Sequence, residues 1–272
     1  MDASGIKQIE ATAIEAAKAN QVVIGNQTLI FKGKDDKLYT TEQYQALRSR
    51  FRGQFETTSI NDFVKHVNKQ VEANDDVHMF INQESFVAQA IYNYGTKLEP
   101  GHCDDTAVLI MKETAAFRAL KGVNGVKLSQ KQMIEFIEDW NAMLTPYDGE
   151  ENTFSLAAAV QGIRAITIAS KGETTTVVGD LKQKVGSFHE IEAKSETIPA
   201  GFNFSLTPYT GLSRRHFSLR LSVLTTAAEP VLVMRIVGFE TEIEDLVGEF
   251  KSLLTDLIDD KVSTYIGVFA AR

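Results

Sequence analysis

The stretch Phe217-Ser218-Leu219-Arg220-Leu221-Ser222-Val223-Leu224-Thr225, followed by Val231-Leu232-Val233-Met234-Arg235-Ile236-Val237, decides how this chain folds. In an extended backbone successive side chains point to opposite faces, so Phe217, Leu219, Leu221 and Val223 share one face and Ser218, Arg220 and Ser222 the other. That alternation predicts a strand with one face in a core and one in water. Thr226-Ala227-Ala228-Glu229-Pro230 separates the two runs, which predicts an antiparallel hairpin.

Downstream, Thr241-Glu242-Ile243-Glu244 has the form of a capping box. Ile243, Leu246, Val247, Phe250, Leu253, Leu254, Leu257 and Ile258 then recur at spacings of three and four, as in an amphipathic helix packed on a sheet. A final strand is expected over Ser263 to Phe269. Upstream, Ala165 to Ala169, Thr174 to Val178 and Phe202 to Leu206 read as further strands. Ser129-Gln130-Lys131-Gln132 forms a second capping box ahead of Met133, Phe136, Ile137, Trp140 and Leu144. Ser59 is a candidate N-cap for a helix that buries Phe63, Val64, Val67 and Val71.

Phe86 to Tyr94 and Thr106 to Glu113 read as strands of a hairpin whose long loop contains Pro100-Gly101. Nearer the start, Ile6, Ile9, Ala13, Ala16 and Ala17 mark a helix to Ala19, able to dock on the body or on another subunit. Val22 to Ile24 and Thr28 to Phe31 flank the turn pair Gly25-Asn26. Thr41 to Leu47 is expected to begin a helix and Arg50 to Thr57 to be extended. The expected fold is α+β, with a mixed or antiparallel sheet, packed amphipathic helices and a strand-rich C-terminal half. Thr145 to Thr153, with Pro146, Asp148 and Gly149, is the expected seam. It divides an α/β lobe, 1–147, from a strand-rich lobe with the acidic helix, 148–272, unless the two form one integrated domain.

The chain has 272 residues, 43% of them hydrophobic and 24% charged, which is ordinary globular composition with enough apolar content for a sizeable core. Cys103 is the only cysteine, so no intramolecular disulfide forms and a reducing compartment is expected. The N-terminal segment carries Asp2, Glu10 and Glu15 and has no apolar signal-peptide region, and no run approaches the roughly 20 apolar residues of a membrane span. A soluble cytoplasmic protein without a membrane partner is the expectation. The formal net charge is −8. Eight carboxylates between Glu240 and Asp260 oppose only Lys251, so that stretch holds seven of the eight excess negative charges and the remainder is nearly neutral.

Against this background Leu47-Arg48-Ser49-Arg50-Phe51-Arg52-Gly53-Gln54-Phe55 stands out. Arg48, Arg50 and Arg52 alternate beside Phe51, and a second basic point, Arg214-Arg215, precedes the core hairpin. If the two meet, they form a phosphate-binding rim with Phe51 or Tyr209 for stacking. The competing destination is carboxylate, from the same fold, the acidic helix or a neighbouring subunit, and it is favoured because few basic residues lie outside these clusters.

No Walker loop, no Gly-x-Gly-x-x-Gly after a strand and no paired zinc ligands are present, so no cofactor or metal is expected. His102-Cys103 would point to opposite sides of an extended segment, which argues for a loop rather than a nucleophile pair. Glu190, Glu192 and Lys194, with Asp180 upstream, are a loose match to a metal-dependent nuclease.

The sequence resembles the YfdQ-like phage and prophage proteins over nearly its whole length. The resemblance runs through Arg48 to Gly53, Ser59 to Val64, Pro100 to His102, Leu128 to Trp140 and Pro208 to Leu212. It implies a phage or prophage origin and action in the bacterial cytoplasm, and transfers no catalytic residue. The expected function is that of a non-enzymatic phage accessory protein working as a homo-oligomer or on a host or phage protein partner. A nucleic-acid-binding protein of phage replication or recombination is the alternative, and a nuclease the third.

Overall fold

The computed structural model describes residues 3–19, 21–24, 27–30, 39–40, 42–72, 76–170, 189–193, 198–224 and 230–270. The chain opens with α1 (Ala3–Ala19), then β1 (Gln21–Ile24), β2 (Gln27–Ile30) and β3 (Tyr39–Thr40), which pair antiparallel in the order β1-β2-β3. The helix and both strands expected here are present. Gly25-Asn26 lies outside the described residues. Ser4 to Ala16 of α1 are exposed throughout, Ile9 to 63% of its surface.

The next elements are β4 (Gly53–Thr57), α2 (Ile60–Val71), β5 (His78–Asn82), β6 (Val87–Ile91) and β7 (Asp105–Ile110). Ser59 caps α2 by accepting from the Asp62 amide, and Ile60, Phe63, Val67 and Val71 form its buried stripe against the sheet. Each such side chain, fully buried, stabilises by about 1.5–3 kcal/mol. The β5–β6 hairpin turns through Phe86, whose φ of 53° is left-handed and costs about 1–2 kcal/mol. Its ring is 4% exposed, stacks on Tyr209 and packs at a tilt against Phe250, so burial offsets the strain.

Then follow α3 (Ala115–Val123), β8 (Lys127–Ser129), α4 (Gln130–Asp139), β9 (Leu144–Tyr147), α5 (Leu156–Arg164), β10 (Ile166–Ser170) and β11 (His189–Ala193). The chain finishes with β12 (Gly201–Leu206), β13 (Arg215–Leu224), β14 (Val231–Ile236), α6 (Phe239–Leu257) and β15 (Ser263–Ile266). One five-stranded sheet is mixed, in the order β15-β5-β6-β7-β4, with parallel pairs at both edges. The other is antiparallel, in the order β8-β14-β13-β12-β9. The fold is α+β, with strands throughout the C-terminal half. Each five-stranded sheet draws strands from both halves of the chain.

Several local expectations are revised. In place of the helix expected over Thr41 to Leu47, of which Thr41 lies outside the described residues, one 3-10 turn, Glu42–Tyr44, is followed by bends, because the Glu42 side chain reaches forward to Ser49 and Arg52. Thr145 to Tyr147 is strand, and Pro146, which cannot donate to a ladder, sits where the sheet ends at β9. Leu144 belongs to that strand rather than to α4, which closes when Asn141 donates to the Glu138 carbonyl. The acidic helix starts two residues before the Thr241 box, after Gly238 at φ 65°, without a side-chain cap. Thr174 to Val178 and the 225–229 hairpin turn lie outside the described residues.

The core joins both sheets. Phe117 packs with Tyr209, Phe217 and Phe239, while Tyr209 stacks on Phe86, which meets Phe250 of α6. On the antiparallel sheet Phe204 meets Phe136 and Trp140. Among the described residues no helix is long and apolar enough to cross a membrane.

Candidate partner-contact site

The basic run is a turn held by carboxylates of its own chain. Glu42, 7% exposed, accepts from the Ser49 amide at 3.0 Å and the Ser49 hydroxyl at 2.9 Å, and forms an ion pair with Arg52. Arg52, the Ser49 amide and the Ser49 hydroxyl hold the Glu42 carboxyl down at about 2, against an ordinary 4.5. Arg50 pairs with Asp104, which also accepts from Asn93 Nδ2 at 2.9 Å. Arg50 first, and then Asn93, hold Asp104 at about 2, against 3.8.

The loop that presents Asp104 is itself closely packed. A Cβ on Gly101 would lie 1.9 Å from the Asn93 carbonyl oxygen, so only glycine lets the two backbone segments approach.

Glu42, Asn93 and Asp104 were not anticipated as partners of the run. The two carboxylates lie 10 and 54 residues from their arginines, and spacing along the chain carries no signal for the second. Among the described residues Arg48 meets no carboxylate; its guanidinium reaches the Arg52 carbonyl at 3.5 Å. Phe51, Tyr44 and Leu47 are 73%, 82% and 83% exposed, so the turn presents an apolar and aromatic surface beside one unpaired arginine.

The depressed carboxyls predict acid sensitivity with a definite sign. Each stabilises the turn fully above its unfolded value, near 4, and the stabilisation is lost as pH falls towards 2. Pepsin cleavage at Leu47 and Phe51 should therefore accelerate between about pH 4 and pH 2, ahead of general unfolding. Glu42→Gln should open the same turn at neutral pH, read as faster tryptic cleavage after Arg48, Arg50 and Arg52. Unchanged cleavage in both experiments would remove the carboxylate clamp.

The second basic point divides between two faces. Arg215 points to the core side and pairs with Glu242 at 3.4 Å and Glu249 at 3.0 Å, both on the acidic helix α6. Burial pushes the Glu249 carboxyl up, but the Ser213 amide and hydroxyl and Arg215 outweigh it and hold it below its ordinary value. Arg214 turns the other way and donates to the Ser205 hydroxyl at 2.7 Å and carbonyl at 3.2 Å. Arg50, Arg52 and Arg215 thus reach carboxylate within the chain. For Arg50 and Arg52 it comes from outside α6. Tyr209, considered for stacking, is buried in the core with its hydroxyl donating to Glu113; burial, then the Glu113 charge, pushes its pKa to about 12.

His102 is exposed, and Cys103 occupies a left-handed position at φ 53°. Burial, then the charge of Asp104, pushes the Cys103 thiol up, the reverse of what an activated nucleophile needs. Glu190 and Glu192 lie on β11, paired with Ala169 and Thr167, whereas Asp180 and Lys194 fall outside the described residues. Among the described residues no three of histidine, cysteine, aspartate and glutamate converge as metal ligands.

Comparison with curated proteins and with solved structures returned no match. A family model does match, over residues 2–269, and its coverage of almost the entire sequence fits a fold in which both sheets need both halves of the chain. The chain belongs to the DUF2303 family, described as uncharacterized conserved protein.

Proposed function

We propose that this is a non-enzymatic phage or prophage accessory protein of the bacterial cytoplasm that works as a homo-oligomer, with α1 as its assembly element. The observation that carries the reading is the apolar stripe of α1, exposed from Ile6 through Ile9, Ala13 and Ala16. An isolated helix of this length is marginal in water and gains stability by burying such a stripe.

A second copy of α1 is the occupant that fits. In an antiparallel pair with Ile6 against Ala16 and Ile9 against Ala13, large side chains fill the gaps left by small ones. Lys7 then flanks Glu15, so the rim is charge-complementary as well. The exposed Tyr44, Leu47 and Phe51 beside Arg48 offer a further contact surface on the same protein. Self-pairing of Arg50, Arg52 and Arg215 with internal carboxylates supports protein contact over phosphate at the basic run.

Mass photometry across a wide concentration range should show an oligomer, and Ile6→Lys with Ile9→Lys should convert it to monomer while circular dichroism of the body is kept. A native chain that stays monomeric at every concentration would overturn the reading.

A further inference from the structure

We propose that the water-facing side of the antiparallel sheet binds the phosphodiester backbone of single-stranded nucleic acid through Lys127, Arg235, Arg220 and Arg214. This site is separate from the basic run and independent of assembly through α1. Its residues follow from strand parity. Phe202, Phe204, Phe217, Leu219, Leu232 and Met234 are buried on the core face, so Asn203, Ser205, His216, Ser218, Arg220, Ser222, Val233 and Arg235 face outward. Lys127 of β8 stands opposite Val233, and Thr145 and Tyr147 of β9 complete the face.

No carboxylate lies on the outward positions of these five strands, in a chain of net charge −8. The face does carry four cations. Arg220 lies directly opposite Arg235, a cross-strand pairing of like charges that destabilises a sheet unless an anion lies between them. Among the described residues neither side chain has a hydrogen bond or ion pair, whereas Arg50, Arg52, Arg164 and Arg215 each reach a carboxylate. Lys127 is one strand over and two residues along from Arg235, so strand spacing puts their attachment points about 8 Å apart. Arg214, fixed on Ser205, extends the line past Arg220 onto β12. A flexible strand can follow such a diagonal, with the serine and asparagine side chains between as hydrogen-bond partners.

A cavity of about 370 Å³ opens beside Arg220, walled by Tyr147, Asn203, Ser218 and Val237. Its volume suits a nucleobase with its sugar. The Tyr147 wall is fixed, since its hydroxyl donates to the Leu219 carbonyl at 3.0 Å and lies 3.3 Å from the Ser218 hydroxyl. At the cavity rim Asp148 is committed to its own turn, accepting from the Glu150 and Asn152 amides, while Glu151 is exposed. These carboxylates repel phosphate from the rim, so the phosphate belongs on Arg220 and Arg235 and the base towards Tyr147.

Fluorescence anisotropy of labelled single-stranded oligothymidylate with the full chain tests the site. Binding should weaken as salt rises. Arg220→Gln with Arg235→Gln should cost at least about tenfold in affinity and reduce the slope of log affinity against log salt by about 1.4, at roughly 0.7 per lost phosphate contact. Both side chains are exposed and unpaired, so melting should be unimpaired; if the double variant does not fold, each single variant should lower the slope by about 0.7. Arg48→Ala should leave both quantities unchanged. No binding at low salt, binding and slope untouched by both glutamine substitutions, an equal loss with Arg48→Ala, or tighter binding to duplex than to single strand would each overturn the proposal.

Discussion

Phe117→Ala is expected to lower stability by about 3–5 kcal/mol, the range for deleting a fully buried phenylalanine ring. Phe117 has no exposed surface, and its ring lies 5.6 Å from Tyr209, 5.8 Å from Phe217 and 6.4 Å from Phe239, centroid to centroid. Those neighbours belong to different layers: Phe217 to the antiparallel sheet, Phe239 to the start of α6, and Tyr209 to the stack that passes through Phe86 to the mixed sheet. The void cannot be filled by one element moving alone, which keeps the cost at the high end. Denaturant unfolding should show one transition with its midpoint lowered and its slope retained, because the ring couples both sheets. A loss below about 1 kcal/mol, or two separated transitions, would sink the account of a shared core.

The second large effect is expected from Gly201→Ala, although alanine adds one carbon. A Cβ at Gly201 would lie 2.1 Å from the Leu219 carbonyl oxygen and 2.3 Å from the Tyr147 hydroxyl. The tyrosine can swing away; the carbonyl is backbone in the neighbouring strand β13, and relieving it means parting β12 from β13. Overpacking of this kind costs about 1–3 kcal/mol, here with the Tyr147 hydrogen bond lost as well. Tyr147→Phe, which removes only the hydroxyl, should cost about 1 kcal/mol and provides the scale. Thermal melting of the two variants checks the order. Equal melting temperatures for Gly201→Ala and the native chain would show that the strands do not approach as described.

Much of the secondary structure was legible in the residues. The alternation from Phe217 to Val223 fixes a strand and its buried face, and the repeats at three and four from Ile243 onward fix a helix, because both patterns report a local geometry. Ser59 and Ser129 cap their helices as their sequences predict, the second with the full reciprocal box. The strand β5 and the helices α3 and α5 were not anticipated; the helices are nine residues each, too short for periodicity to declare itself. Thr114 and Ser155 cap them and were the signals available.

The basic run divides in the same way. Its sequence alone determined that three arginines and Phe51 would share a short segment needing an anionic or apolar partner, because charge and ring are properties of the side chains themselves. Which anion it meets was decided only by the tertiary structure. Asp104 comes to Arg50 because β4 runs parallel to β7 with Gly53 beside Asp105, a pairing of strands distant in sequence. The same distinction holds for Arg220 and Arg235. Alternation turns each outward, but only the register of β13 against β14 sets them side by side, and register is fixed by burial of the opposite face.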